Sequence, residues 1–294
     1  MSADAPQTEV WINGQWKAPA EATVSVLDRG FLYGDGLFET VRVHSGRPFR
    51  WMEHLDRLWL GARFLRIRLP FSRVELTRAA EELVRRGGLP ESIVRLALSR
   101  GVGPRGYSPR GADHPTVVLT LHPAPPLDAA RPPRWRLITS RLRILDDDPL
   151  TQFKTANKLL QIVSRLEFEN LGLDHDDALL LNTRGEVVEA TSANVFWVEG
   201  GRLYTPPPLS GALPGITRGV VLELASALGI PALEAIAEGR RLHSADGVFL
   251  TLSSLGIVEV SHLDFQPLRS DPVVERLRRA YLDLASQPAA GAGG

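Results

Sequence analysis

The sequence predicts two α/β domains in which much of the sheet is antiparallel. Short apolar and β-branched runs alternate with segments whose apolar residues recur every three or four positions. The 294 residues suffice for two domains of ordinary size. A stiff stretch with five prolines, HPAPPLDAARPPRW, separates the two halves. We therefore predict a small N-terminal domain over 1–122, a linker over 123–135 and a C-terminal domain over 136–294.

The first half begins with a β-hairpin, because the turn dipeptide Asn13-Gly14 joins two apolar runs. A helix over 52–66 is expected from apolar residues that fall on one face at the 3.6-residue period. A second helix starts at Ser72, where Glu75 completes a capping box, and ends at the two glycines 87–88. Apolar runs predict the other strands, which cover 23–27, 37–44, 92–99 and 115–122.

The second half repeats this mixture of strands and amphipathic helices. Strands are predicted over 135–140, 178–182, 186–189, 194–198, 202–206, 247–254 and 257–263. Helices are predicted over 157–172, 216–228 and 272–285. In the first of these helices, Leu159, Ile162, Val163 and Leu166 share one face. The chain ends, 1–8 and 286–294, are small and polar and are expected to be loose.

Composition excludes several classes of protein. Lysine plus arginine and aspartate plus glutamate each total 34, so no basic field attracts nucleic acid or an anionic membrane. The chain has no cysteine, which rules out disulfides, thiolate metal sites and a cysteine nucleophile. No apolar run is long enough to span a bilayer, and the first residues contain no apolar segment of a signal peptide. We expect a cytoplasmic protein without a metal site.

Lysine is rare in this chain: 31 of the basic residues are arginines and only Lys17, Lys154 and Lys158 are lysines. A GC-rich genome explains the bias, but such a bias leaves lysine mostly where arginine cannot replace it. A lysine amine can form an imine with a carbonyl compound, whereas a guanidinium stays protonated. Lys154, which lies between a predicted strand and a predicted helix, is therefore a candidate nucleophile. The alternative is that Lys154 and Lys158 are both ordinary surface lysines.

Two further segments could bind a charged ligand. In LPGITRG (213–219), the backbone N–H groups of Ile216 and Thr217 and the Thr217 hydroxyl open a helix, and a helix start of this kind favours phosphate. An ordinary capped helix start is the alternative. Glu189 ends a predicted strand, where a buried carboxylate would need a cationic partner. The alternative for Glu189 is a side chain that faces solvent.

The loop GVGPRG (101–106) matches a dinucleotide-binding pattern but contains a proline and opens no helix, so we reject that interpretation. The same loop offers Arg105 and Tyr107, which are suited to bind a carboxylate. The acidic tract LDHDDA (173–178) predicts a polar turn rather than a metal site, because no second group of ligands has metal-binding spacing.

Together and in this order, these segments resemble the class IV aminotransferases, the fold-type IV pyridoxal phosphate enzymes. Members include D-amino acid and branched-chain aminotransferases, (R)-amine transaminases and aminodeoxychorismate lyases. The matching segments are DRGFLYGDGLFET (28–40), FRWMEHLDRL (49–58), RGVGPRGYS (100–108), FKTANKLL (153–160), EVVEATSANVF (186–196), LPGITR (213–218) and FLTLSS (249–254). The resemblance implies a two-domain α/β (α+β) fold, with a small N-terminal α/β domain and a larger C-terminal α/β pseudo-barrel that binds the cofactor.

The resemblance also implies roles for individual residues. It implies that Lys154 binds pyridoxal 5'-phosphate covalently and shuttles a proton during turnover. It implies that Glu189 pairs with the pyridine nitrogen and that Arg57 binds the phosphate. The further phosphate ligands that it implies are Ile216, Thr217 and Ser253. A homodimer with active sites at the interface is implied as well, with residues near Arg29 reaching the partner's site.

The substrate motifs point in different directions. Phe38 and Arg42 match branched-chain enzymes, but the segment after Lys154 lacks the Ala-Gly-Gly spacing usual there. Arg105 aligns with the arginine that holds the substrate carboxylate in D-amino acid aminotransferases, and Tyr107 replaces the histidine beside it. The same loop resembles that of aminodeoxychorismate lyases.

We predict a transaminase that moves an amino group between an amino acid, here a D-amino acid, and a 2-oxo acid. The predicted substrate-binding residues are Phe38, Arg105, Tyr107 and Arg29. The alternatives are an aminodeoxychorismate lyase that releases 4-aminobenzoate and pyruvate, and a branched-chain L-amino acid aminotransferase. A cofactor-free binding protein of the same fold is a third alternative.

Overall fold

The computed structural model describes residues 9–125, 127–128, 130–169 and 172–287. The predicted loose ends over 1–8 and beyond 287 lie outside these residues, as do positions 126 and 129 of the predicted linker and positions 170–171 of the predicted helix 157–172. The described part forms two compact α/β units, and this confirms the predicted fold class. One unit comprises 1–126 and 153–157, and the other comprises 127–152 and 158–294. The predicted domain boundaries stay a prediction.

The first unit is built on a six-stranded antiparallel sheet with the order β2-β1-β6-β5-β3-β4. Its strands are β1 Val10–Ile12, β2 Gln15–Lys17, β3 Gly36–His44, β4 Arg47–Pro48, β5 Ser92–Ser99 and β6 Thr116–Pro123. Its helices are α1 Arg29–Tyr33, α2 Trp51–Leu65 and α3 Arg73–Gly87. The long helices α2 and α3 cover one face of the sheet, where Leu55, Leu83 and Leu96 belong to one apolar core.

Local signals decide most of these elements. Asn13 and Gly14 have positive φ, as the tight hairpin turn requires. Ser72 accepts the N–H of Glu75, whose carboxylate accepts the N–H of Ser72, so the predicted capping box is formed. The predicted strand over 23–27 is wrong, because Val26 and its neighbours are exposed and have no strand partner. Apolar composition alone does not make a strand without a neighbouring edge to pair with.

The second unit contains the remaining strands and helices. Its strands are β7 Arg134–Ile144, β8 Asp177–Asn182, β9 Val187–Ala190, β10 Asn194–Glu199, β11 Arg202–Thr205, β12 Ala232–Glu234, β13 Gly247–Leu252, β14 Gly256–Leu263 and β15 Gln266–Pro267. Its helices are α4 Leu159–Glu169, α5 Ile216–Ala227, α6 Arg241–Ser244 and α7 Pro272–Ser286. The strands run in the order β12-β11-β10-β13-β14-β7-β8-β9, and β15 pairs with β14.

This second sheet closes on itself. β9, the last strand in the order, also pairs with β10, so six strands form a ring. The closing register places Glu189 of β9 opposite Asn194 of β10. The predicted pseudo-barrel is therefore formed, and the carboxylate predicted to pair with the pyridine nitrogen lies at its closure.

Helix α4 differs from expectation in the face that it buries. Its apolar stripe of Leu159, Ile162, Val163 and Leu166 is exposed, and its buried residues are Ser164 and Phe168. No helix of the described residues is both long and apolar enough to cross a membrane. The cytoplasmic location stays a prediction.

Candidate active site

Lys154 lies on a short extended segment that pairs with the edge of β3. The N–H of Phe38 donates to the Lys154 carbonyl at 3.0 Å, and the N–H of Ala156 donates to the Gly36 carbonyl at 2.8 Å. Directly opposite residues of an antiparallel pair project from the same face. Accordingly, the half-buried Lys154 places its Nζ 4.8 Å from the centre of the Phe38 ring. The sheet thus holds the backbone of this amine while its side chain remains accessible.

Arg57 projects from α2 into a buried ionic network beneath the same strand. Its Nε donates to Oε1 of Glu39 at 2.9 Å and its Nη2 donates to Oε2 at 2.6 Å. His54, one turn earlier on α2, contacts Oε2 of Glu39 through Nδ1 at 2.7 Å. Glu39 and His54 are almost fully buried. This bidentate geometry fixes the plane of the guanidinium.

The charges in this network are well defined. Burial alone would raise the pKa of the Glu39 carboxyl, but the charge and hydrogen bonds of Arg57 and the His54 hydrogen bond outweigh it and lower the pKa to about 2. Burial lowers the pKa of His54 below its ordinary value, against the opposing effect of Glu39. A neutral His54 must carry its proton on Nδ1, because it faces a carboxylate there. Arg57 is therefore the cation and Glu39 its counter-ion.

Arg95 was not singled out in the sequence. It lies on β5, where its guanidinium carbon is 4.0 Å from the centre of the Phe38 ring. Phe38 therefore has the Lys154 amine and the Arg95 guanidinium near its ring. The side chain of Arg95 is exposed. The sequence could have indicated Arg95, because it is the one charged residue in the strand β5, SIVRLALS.

Arg29 has a different environment from the one expected of a substrate ligand. It is buried, its Nε donates to Asp35 at 2.8 Å, and its Nη1 donates to the Gly106 carbonyl at 2.7 Å. Its Nη2 also donates to the Tyr107 carbonyl at 3.2 Å. Arg29 therefore supports the loop that carries Arg105, and both Arg105 and Tyr107 are exposed on that loop. A direct contact between Arg29 and substrate stays a prediction.

Asp35 binds Arg29 and also Arg100, so it holds Arg29 in place beneath the 100–108 loop. Burial would raise the pKa of Asp35, but hydrogen bonds and charges from Arg100 and Arg29 lower it.

Arg42, which matched branched-chain enzymes in the sequence, donates to Glu91 and to the Pro125 carbonyl and is buried. These arginines bind groups of their own chain.

In the second unit, two neutral groups donate hydrogen bonds to Glu189. Its Oε2 accepts the backbone N–H of Leu213 at 3.0 Å and the side-chain amide of Asn194 at 3.2 Å. Glu189 is half-buried, so the expectation of a fully solvated strand-end carboxylate does not describe it. Donors of this kind fix the orientation of the carboxylate.

The start of α5 follows directly after these donors. Gly215 is its N-cap residue, and no side chain caps the helix. Thr217 is buried and Ile216 is half-buried in the first turn. The first N–H groups of a helix have no partner within the helix and favour an anion.

Two other candidate residues lie at the ends of other elements. Ser253 follows β13 and is half-buried, and Lys158 directly precedes α4.

The residue types present fit pyridoxal phosphate. The Thr251 hydroxyl is buried and has no hydrogen-bond partner among the described residues, and Thr251 lies directly opposite Asn194 in the β10–β13 pair. A Cβ at Gly215 would lie 2.0 Å from Oδ1 of Asn194, so a larger residue there would displace the Asn194 amide. An accessible amine, a hydrogen-bonded carboxylate and an uncapped helix start match the aldehyde, the pyridine nitrogen and the phosphate in chemistry.

Known relatives share most of this chain. A putative branched-chain-amino-acid aminotransferase of Methanocaldococcus jannaschii is 35% identical over 95% of this chain and 97% of its own length. An aminodeoxychorismate lyase of Vibrio harveyi is 30% identical, with 92% and 96% covered. A D-alanine aminotransferase of Listeria monocytogenes is also 30% identical, with 94% and 95% covered.

Solved structures agree with these relatives. The T.th. branched-chain amino acid aminotransferase in complex with N-(5'-phosphopyridoxyl)-L-glutamate superposes with a TM-score of 0.86 at 31% identity, covering 95% of this chain and 94% of that one. The 4-amino-4-deoxychorismate lyase of Pseudomonas aeruginosa gives 0.80 at 32% identity, covering 95% and 100%. The amino-transferase class IV family model matches residues 36–263. The chain therefore belongs to the class IV aminotransferases, enzymes whose cofactor is pyridoxal phosphate.

Proposed function

We propose that this protein transfers an amino group between an amino acid and a 2-oxo acid, with pyridoxal phosphate bound covalently through Lys154. The observation that carries the proposal is the position of Lys154. Its backbone is fixed along β3 by hydrogen bonds, while its Nζ is near the Phe38 ring. A nucleophilic amine needs both a defined position and access to its carbonyl partner. The Lys158 backbone instead starts a helix: its carbonyl accepts the N–H of Ile162 at 3.0 Å.

The proposed roles follow from the contacts of each residue. When bound, pyridoxal phosphate supplies an electron sink for the charge left at the substrate Cα. Lys154 Nζ would take the proton from the substrate Cα and hold it for the second proton transfer. Glu189 holds a proton at the pyridine nitrogen. Its carboxylate is oriented for this role by the Leu213 N–H and the Asn194 amide.

The phosphate is proposed to bind Arg57, the first turn of α5 at Ile216 and Thr217, and Ser253. Arg57 supports this role because Glu39 orients its guanidinium from one side. The first turn of α5 supports it because no side chain caps the helix.

Arg95 favours a dicarboxylic substrate pair, glutamate and 2-oxoglutarate. Its guanidinium and the Lys154 amine both lie near the Phe38 ring, at 4.0 and 4.8 Å from its centre. A carboxylate at the far end of a substrate would pair with Arg95 while the substrate amine reacts near Lys154. We propose that Arg95 binds that second carboxylate.

We further propose a D-amino acid as the other amino donor. The support is the loop at 100–108, in which Arg29 secures the backbone beside the exposed Arg105 and Tyr107. A branched-chain L-amino acid is a second candidate, favoured by the apolar ring of Phe38 beside Lys154 and by the 35% identity to the Methanocaldococcus enzyme. The loop and the 30% identity to the Vibrio enzyme favour lyase activity as the third.

The test begins with the cofactor. Borohydride reduction of the holoenzyme followed by peptide mapping is expected to place the reduced cofactor on Lys154. The holoenzyme is then mixed with single enantiomers of glutamate, alanine, leucine and valine, and 2-oxo acid formation is measured. Conversion of D-glutamate or D-alanine supports the D-specific proposal, and conversion of L-leucine alone selects the branched-chain candidate. Pyruvate release from aminodeoxychorismate without amino transfer selects the lyase.

We also propose that the enzyme is a homodimer. The exposed apolar stripe of α4, defined by Leu159, Ile162, Val163 and Leu166, is a contiguous surface of the kind that partner subunits cover. Ile162→Asp is expected to shift sedimentation equilibrium towards monomer. Leu60→Asp, at an exposed apolar residue of helix α2, is the matched control. Identical behaviour of the two variants would remove this stripe from the interface.

A further inference from the structure

Asn194 connects two parts of the second unit that the proposed function assigns to opposite ends of the cofactor. Its side chain is 5% exposed, and Nδ2 donates both to Oε2 of Glu189 at 3.2 Å and to the Leu213 carbonyl at 2.8 Å. The N–H of Leu213 returns to the same Oε2 at 3.0 Å. Glu189, Asn194 and Leu213 thus form a closed ring of hydrogen bonds.

The other end of the Asn194 amide touches the start of α5. Oδ1 would lie 2.0 Å from a Cβ at Gly215, the N-cap residue of the helix. The amide is therefore packed directly against the backbone from which the first turn of α5 emerges. One buried side chain is in contact with the carboxylate, with the 213–215 turn and with the helix start.

The strand register explains why Asn194 holds this place. It is the first residue of β10, and it pairs with Glu189 of β9 where the ring of six strands closes. On its other side it pairs with Thr251 of β13. Directly opposite residues share a face of the sheet. The closure of the barrel therefore presents Glu189, Asn194 and Thr251 side by side.

We propose that Asn194 is a positioning residue that sets the separation between the Glu189 carboxylate and the phosphate-binding start of α5. Pyridoxal phosphate is a rigid ring with its phosphate on a short arm, so groups that bind its two ends must keep a constant spacing. Asn194 keeps that spacing because its amide contacts both groups at once. This inference rests on the roles proposed above for Glu189 and α5.

A second buried asparagine provides a matched control. Asn182 of β8 is fully buried in the same unit, and its Nδ2 donates to Glu186 at 2.7 Å and to the Ser210 carbonyl at 3.4 Å. Like Asn194, it joins a carboxylate to a backbone carbonyl. The groups that are joined differ: Asn182 binds Glu186 and Ser210, whereas Asn194 binds Glu189 and Leu213 beside Gly215.

The experiment compares Asn194→Ala with Asn182→Ala, using apoprotein prepared from the holoenzyme. Titrations measure the affinity for pyridoxal phosphate, for pyridoxal and for inorganic phosphate. Thermal unfolding of the apoprotein measures the structural cost of each substitution. Each variant removes one donor from a half-buried carboxylate and one from a backbone carbonyl. Asn182→Ala also removes the acceptor of the Arg184 and Glu186 N–H groups, so we expect it to lose at least as much thermal stability as Asn194→Ala.

Only Asn194→Ala is expected to weaken pyridoxal phosphate binding strongly, on the order of 10- to 100-fold. The affinities for pyridoxal and for inorganic phosphate should change much less, because neither ligand binds to Glu189 and to the start of α5 at the same time. Equal losses of affinity in the two variants, or a loss for inorganic phosphate as large as that for the whole cofactor, would overturn the proposal.

Glu189→Gln separates this proposal from the proposed function. If Glu189→Gln impairs amino transfer and Asn194→Ala binds the cofactor as Asn182→Ala does, only the role of Asn194 is wrong. If Glu189→Gln has no effect on amino transfer, the proposed function of the carboxylate fails, and this inference fails with it. Asn194→Asp adds a second readout: a carboxylate beside Glu189 should raise the pH at which the spectrum of the bound cofactor changes.

Discussion

The two units place different hydrogen-bonding groups around their key charged side chains. In the first unit, Arg57 is paired with the buried carboxylate of Glu39, and Arg29 and Arg100 share Asp35. In the second unit, Glu189 is held by an amide N–H and a carboxamide. A buried counter-ion keeps a long cationic side chain in one orientation. Hydrogen bonds from neutral donors fix the orientation of a carboxylate.

The largest effect is expected at the amine itself. Lys154→Ala removes the group that we propose binds the cofactor and moves the proton, so turnover should fall on the order of 10³-fold or more. Lys158→Ala is the control, because it removes the neighbouring lysine, which directly precedes α4. Amino transfer measured with saturating cofactor checks both variants. If Lys158→Ala proves to be the inactive one, the catalytic lysine has been misassigned.

Two glutamate-to-glutamine variants, one in each unit, test the difference between the units directly. Glu39→Gln leaves the buried Arg57 without its counter-ion, so the free energy of unfolding of the apoprotein should fall by about 3 kcal/mol. Glu189→Gln keeps a shape that its donors accept, so its unfolding free energy should change by less than about 1 kcal/mol. Its turnover should fall roughly a hundredfold or more. Urea unfolding and amino transfer measure the two quantities.

Equal stability losses in the two glutamine variants would break the contrast. Glu82→Gln provides a surface reference, because Glu82 pairs with Arg85 and Arg86 on an exposed helix face. We expect this variant to be as stable as the wild type.

The pH dependence of stability should follow the same network. The pKa of Glu39 is lowered from 4.5 to about 2 in the folded protein, so the unfolded chain takes up its proton first as pH falls. The contribution of Glu39, roughly 3 kcal/mol, is present above pH 4.5 and is lost as pH falls towards 2. The pKa of His54 is also lowered in the folded protein. His54 therefore also reduces the stability of the fold as the pH falls below the ordinary pKa of histidine.

Unfolding free energies of the wild type and Glu39→Gln, measured between pH 6 and 2, should therefore converge as the pH decreases. Parallel curves would show that Glu39 does not carry this pH dependence.

The smallest effect concerns substrate choice. Arg95→Met keeps an aliphatic chain beside Phe38 but removes the guanidinium, so KM for 2-oxoglutarate should rise about 10-fold while KM for pyruvate changes little. Arg85→Met, at an exposed surface arginine, should change neither value. A parallel rise for both 2-oxo acids would mean that Arg95 does not bind the distal carboxylate.

The sequence alone determined the elements whose signals are local. The Asn13-Gly14 turn, the capping box at Ser72 and the helix that starts at Ile216 depend on neighbours along the chain, and all three form. The family motifs also identified pyridoxal phosphate as the cofactor. These features depend on short-range chemistry, which the order of residues states directly.

Only the tertiary structure decided which groups meet across the chain. Glu39 and His54 were unremarked in the sequence, because their buried pairing with Arg57 needs a strand and a helix to pack together. Asn194 acquires its contacts where β9 meets β10, five residues along the chain from Glu189 but in direct register with it. The apolar stripe of α4 was predictable, but its exposure was not. Periodicity shows that a helix has an apolar face, whereas the surface that covers this face is set by long-range packing.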